Sequence, residues 1–192
     1  RSILRAVTSA VDVPIWVKLT PSTSTLVDAA GAAYDAGAAS ISLCNTFPSL
    51  PLMDPETMKF EVEVDGLVTS GGLGGLAILH QALQRVCDIS KAYPYKAISG
   101  IGGIRGFREA FNFIANGAGN LQICTAAMEE KGSGGIGVEL IKELTGDMNE
   151  FMERKGYNSI EELRGVARDR VVEHAQVRRK SGNYNGGHAL AS

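Results

Sequence analysis

The sequence predicts an α/β protein with a parallel sheet, on three observations. Short apolar runs alternate with segments of helical period, a glycine follows most of the helical segments, and each apolar run leads into a loop of polar or small residues. Strand, short loop, helix, glycine, strand is the grammar of the βαβ unit, and four units are visible. Such units build either an open doubly wound sheet or a (β/α)8 barrel, and both place ligands at the C-terminal ends of the strands. A complete barrel takes about 250 residues, so four units are about half of one.

Ile3, Leu4, Val7 and Val11 recur at helical spacing. The chain opens at Arg1 without Met, inside that helix, and so reads as the C-terminal portion of something longer. Residues 13–19 (VPIWVKL) predict a strand buried on both faces, with Lys18 its one charge. Pro21, Ser22 and Thr23 break the run, and Leu26, Val27, Ala29, Ala30, Ala33 and Tyr34 give a helix that stops at Gly37. Residues 38–44 are the second strand. The long segment 45–75 carries Pro48, Pro51, Pro55, a short hairpin expected around 60–68, and the cluster Gly71, Gly72, Gly74 and Gly75. Connections of that length tend to be lids or binding loops. A helix over about 76–92, a strand at 96–99, a glycine turn at 100–103, a helix over about 106–116, a strand at 120–124, a glycine-rich loop at 132–137 and a helix over 138–155 follow. Residues 156–180, opening with GYNSIEELRG, read as a charged helical extension, and the end of the chain, glycine-rich over 181–187, as disordered.

Composition excludes several functions. Lys+Arg 19 against Asp+Glu 21, a net charge of -2, leaves no basic field for nucleic acid or an anionic membrane. No run approaches the roughly 18 apolar residues of a spanning helix, and the N-terminus lacks a signal peptide, so a cytoplasmic protein is expected. Cys44, Cys87 and Cys124 form no CxxC pair, and with three His they offer neither a disulfide framework nor a zinc cage. All three thiols default to small buried hydrophobes.

Two adjacent loops of small residues are the sharpest chemical feature: the glycine turn ISGIGGI at 98–104 and ICTAAM at 123–128. Consecutive backbone N–H groups in such a turn, followed by a helix, make a nest for an anion, and two side by side suit one phosphate. In barrels that site follows the seventh and eighth strands. Plain tight turns are the alternative. Lys18, at a strand end, calls for an anion or an electron-rich ring, or else snorkels to water. Asn45 and Thr46 offer donors and acceptors for a planar amide or imide, or serve as a turn starter.

Taken in order, VKLTP at 17–21, CNT at 44–46, SGGLGGLA at 70–77, SGIGGI at 99–104 and QICTA at 122–126 form a series. It resembles the C-terminal half of the FMN-binding barrel in the dihydropyrimidine dehydrogenase and class 1 dihydroorotate dehydrogenase family, over about residues 5–170. GYNSIEELRG is similar to the tail of the bacterial dihydropyrimidine dehydrogenase FMN subunit. The resemblance implies that residues 1–155 supply the last four βα units of a (β/α)8 barrel, with 156–180 a helical extension and 181–192 a disordered tail.

It further implies an oxidoreductase that reduces the 5,6-double bond of a pyrimidine by hydride transfer from flavin N5. Lys18 is then the catalytic, flavin-contacting lysine. Asn45 and Thr46 bind the pyrimidine, and backbone N–H groups at Gly72, Leu73, Gly102, Gly103, Cys124 and Thr125 hold the FMN phosphate. FAD, iron–sulfur clusters and NAD(P)H belong to a partner chain or domain, and a homo-oligomer or a complex with an electron-transfer subunit is expected. Dihydroorotate dehydrogenase, or a non-catalytic phosphate-binding half-barrel, are the alternatives. Three features depart from the family pattern: Gly74 stands where Ser is usual, Leu79 and His80 replace a basic-Pro pair, and the loop 132–137 is longer and more glycine-rich. The family's Asn-x-Ser-Cys-Pro strand and its proton-donating Cys correspond to residues preceding Arg1.

Overall fold

The computed structural model describes residues 1–128 and 137–177. Chain order runs α1 (Ser2–Ala10), β1 (Trp16–Lys18), α2 (Leu26–Asp35), β2 (Ser40–Leu43), then four short strands β3 (Phe47–Ser49), β4 (Met53–Asp54), β5 (Lys59–Phe60) and β6 (Gly71–Leu73). After them come α3 (Leu79–Ala92), β7 (Ile98–Ile101), α4 (Phe107–Ala115), β8 (Asn120–Gln122), α5 (Thr125–Met128) and α6 (Val138–Lys155). The main sheet is wholly parallel with order β1-β2-β7-β8. Each βα unit adds its strand beside the last, with no reversal of the kind that defines a doubly wound sheet.

Register sorts the residues into two faces. Lys18 pairs with Ser42, Ser42 with Ser99, and Ser99 with Asn120, so these four share one face. The alternate positions Ile41, Leu43 and Ile98 are fully buried under the helices. Gly100 lies on that second face because a Cβ there would meet the Phe113 ring of α4 at 2.5 Å. The first face is polar, and its buried hydroxyls are bonded: Ser40 Oγ donates to the Ala97 carbonyl at 3.2 Å.

Helices bury the residues that their spacing selects. On α2 these are Leu26, Ala30, Ala33 and Tyr34, and on α4 Ala110, Phe113, Ile114 and Ala115. Leu140, Leu144 and Met148 of α6, four residues apart, are buried too. That helix ends where Gly156 turns left-handed (φ 75°) and its N–H bonds back to the last turn.

Four expectations need correction. The first strand is not buried on both faces: β1 is the edge of the sheet, with Trp16 51% exposed and Lys18 exposed. The hairpin lies earlier than residues 60–68. β4 pairs with β5, and only the Val64–Leu67 bridge falls inside the expected span. Asp54 sets that turn, accepting the Glu56 and Thr57 N–H at 2.8 and 2.9 Å, and those bonds hold its carboxyl below the usual carboxylate range. The third long helix starts at Leu79 after a 3-10 turn over Gly75–Ile78.

Finally, residues 156–177 run through three separate 3-10 turns, at Ile160–Glu162, Arg168–Arg170 and His174–Gln176, rather than one helix. Leu163 is fully buried there, and the N–H groups of Gly165 and Ala167 bond to the Ile114 and Ala115 carbonyls. Of the glycine loop read at 132–137, only Gly137 belongs to the described residues, and the tail 181–192 lies outside them.

Candidate active site

Bonds beyond the strand ends build the site. The Leu19 N–H donates to the Ser42 carbonyl at 3.1 Å, Asn45 N–H to Leu19 O at 3.0 Å, and Cys44 N–H to Ile101 O at 3.1 Å. They carry the parallel ladder past β1 and β2 and fix Asn45 and Thr46 beside Lys18. A cleft of about 130 Å³ opens at these C-terminal ends. Lys18, Thr46, Gly102, Gly103, Cys124 and Thr125, six of the expected site residues, line it.

Asn45, Gly72 and Leu73 are exposed and stand outside the lining. Gly72 is nevertheless set by the site. β6 pairs antiparallel with β3, and a Cβ on Gly72 would collide with the Thr46 side chain, so the excursion over 47–73 folds back onto the residue that follows Asn45.

The cradle depends on left-handed glycines. Gly75, Gly102 and Gly103 have φ of 64°, 131° and 75°. A Cβ on Gly103 would meet Leu79 Cβ at 2.9 Å, the Gly75 carbonyl oxygen at 3.0 Å and Leu76 Cα at 3.1 Å. A Cβ on Gly75 would lie 3.3 Å from Thr125 Cγ2. Three loops, after β6, β7 and β8, are therefore in contact around one concavity that a side chain would fill.

Sequence reasoning missed Gln122 and Arg105, which line the cleft, as do Gly74 and Gly75 of the glycine cluster read as part of a binding loop. For Gln122 a signal was available, because the alternation Ser40, Ser42 and Ser99 marks a polar inner face that the reading of apolar strands passed over. The thiols divide. Cys44, on the wall, is buried, and burial pushes its thiol up to about 11, with Arg85 and Lys18 pulling weakly the other way. Cys124 was expected to be a buried hydrophobe but is exposed: β8 ends at Gln122, so this residue already belongs to the loop at the cleft mouth, its Sγ 3.9 Å from Met128 Sδ.

Comparison with known proteins adds the family. The family described as dihydroorotate dehydrogenase matches residues 1–148. The chain belongs to the dihydroorotate dehydrogenase family. Its relatives include the catalytic subunit of dihydroorotate dehydrogenase B (NAD(+)) of Methanothermobacter thermautotrophicus, 33% identical over 170 residues, which are 87% of this chain and 52% of that protein. The corresponding subunit of Petrotoga mobilis is 34% identical over 153 residues, 80% of this chain and 47% of the relative. The chloroplastic dihydropyrimidine dehydrogenase (NADP(+)) of Arabidopsis thaliana is 29% identical over 170 residues, 86% of this chain and 38% of the relative. The chain spans about half the length, or less, of these curated relatives.

Enzymes of the family bind FMN, and the residues here fit that group: a cradle open only to the backbone of glycines suits a phosphate, and an ammonium on the same cleft suits the electron-rich edge of a flavin. No described helix is long and apolar enough to cross a membrane.

Proposed function

We propose that the chain supplies the cofactor-facing half of a closed (β/α)8 barrel acting as an FMN-dependent pyrimidine oxidoreductase. The observation that carries this reading is a single cleft with Lys18 and the left-handed glycines Gly102 and Gly103 in its wall, in a chain of the dihydroorotate dehydrogenase family. Closure is supported by the reversal-free strand order and by Asn120 Oδ1, a buried acceptor on the inner face of the edge strand β8 with no partner among the described residues.

The N–H groups of Gly102, Gly103, Cys124 and Thr125 hold the phosphate without a side-chain charge, while Gly72 and Leu73, which the resemblance assigns to the same phosphate, stand outside the cleft lining. Lys18 stabilises negative charge at the N1/C2 carbonyl edge of the reduced ring, which makes it the catalytic residue of this chain. Asn45 and Thr46 hydrogen-bond the substrate ring. When bound, FMN would supply the hydride that reduces the 5,6-double bond of the pyrimidine, with a proton taken up on the other carbon. The resemblance assigns that proton to a Cys of the family's mobile loop, and electrons would reach the flavin from FAD, iron–sulfur clusters and NAD(P)H on a partner chain or domain. A cytoplasmic homo-oligomer, or a complex with an electron-transfer subunit, completes the proposal.

The similarity of GYNSIEELRG to a dihydropyrimidine dehydrogenase tail favours uracil or thymine as substrate. The two dihydroorotate dehydrogenase B subunits named above, at 33% and 34% identity, support a second reading, dihydroorotate. Steady-state turnover of the holoenzyme decides: uracil and thymine reduction supports the first, exclusive dihydroorotate oxidation the second, and turnover of none of them removes both.

A further inference from the structure

We propose that Gln122 is a third polar anchor of the cleft and receives a hydroxyl of the flavin's ribityl chain; this rests on the FMN reading above. Register pairs Gln122 with Ile101, one layer nearer the strand ends than the row Lys18, Ser42, Ser99 and Asn120, and on the same face as that row. Its side chain reaches back across the sheet. Nε2 donates to Ser42 Oγ and to Ser99 Oγ, each at 2.8 Å, and those serines are 4% and 0% exposed.

A carboxamide nitrogen has two protons, and both are used. The amide is thus pinned at two points by buried hydroxyls from two other strands, and its remaining polar atom is the acceptor Oε1. Gln122 also lines the cleft, along with Lys18 and Thr125. A ligand with its phosphate in the nest and its ring at Lys18 passes Gln122 with the linker between them. An apolar linker would desolvate the amide without replacing its water, whereas a polyol satisfies it. The cleft therefore selects a flavin with a hydroxylated linker.

The test measures the affinity of the apoprotein for FMN and for an N10-phosphoalkyl flavin that has the same ring and phosphate but no linker hydroxyls. Gln122→Leu is expected to weaken FMN about tenfold and the alkyl analogue by less than about twofold. Ser42→Ala, which releases one of the two pins and leaves the cleft wall intact, is expected to weaken FMN about threefold and spare the analogue. Equal weakening of both flavins, or of neither, in the two variants overturns the inference. So does a wild-type protein that holds both flavins equally tightly. A wild-type protein that binds neither flavin overturns the FMN reading and this inference with it.

Discussion

Lys18 stands on an edge strand and lines the cleft, so its removal leaves the wall of glycine backbone untouched. On the proposed role of its charge in favouring the reduced ring over the oxidised one, Lys18→Ala is expected to retain FMN but slow flavin reduction by at least about tenfold. Stopped-flow reduction and the flavin midpoint potential check it; both unchanged would remove Lys18 from the chemistry.

Gly103→Val is expected to lose FMN and also some stability. At φ 75° a branched side chain is strained, and its Cβ meets the Gly75 carbonyl and Leu79. Flavin content and the thermal midpoint report the two effects separately, and unchanged flavin content would make this turn a plain one.

Asn45→Asp in the holoenzyme is expected to cost one to two decades in the specificity constant, since a carboxylate cannot donate to a ring carbonyl; about 1–3 kcal/mol is at stake. An unchanged constant for every pyrimidine assigns Asn45 to its loop alone. The cysteines give a further expectation. Disulfide-exchange reagents at neutral pH should modify Cys124 quickly and the buried Cys44 and Cys87 slowly. The folded state holds the Cys44 proton more tightly than the unfolded chain does. The stability this adds is present below pH about 9 and is lost as pH rises toward 11.

At the scale of elements, the α/β grammar was legible because helices and buried strand faces follow apolar spacing, and α2, α4 and α6 bury the residues that spacing picks out. Three features escaped. The inner face of the sheet is polar, and hydroxyls paired through Gln122 leave no apolar signature. The antiparallel pair β3–β6 joins residues more than twenty apart through glycines, which carry no pattern. The extension after α6 is held by Arg164 rather than by helical spacing: its Nε donates to the Gly117 carbonyl at 3.0 Å and Nη2 to the Lys96 carbonyl at 2.7 Å. Its ion pair with the exposed Glu161 adds little. Arg164→Ala leaves both carbonyls without this partner and is expected to cost about 2–3 kcal/mol, lowering the thermal midpoint by about 5–10 °C. A midpoint within about 1 °C of wild type would show that the strap is not held there.

At the scale of the molecule, five motifs spread over more than a hundred residues converge on one end of a parallel sheet, as the C-terminal strand ends of an α/β fold require. Lys18, Thr46, Gly102, Gly103, Cys124 and Thr125 were legible because each closes a strand or opens the loop after it, and the parallel sheet gathers those positions. Arg105 was not, since its place on the wall depends on how the loops pack, which no local spacing encodes. The flavin content of the purified protein tests the central claim most directly. A visible flavin spectrum with about one FMN released per chain on acid treatment is the predicted result; a colourless protein that takes up no added FMN contradicts it.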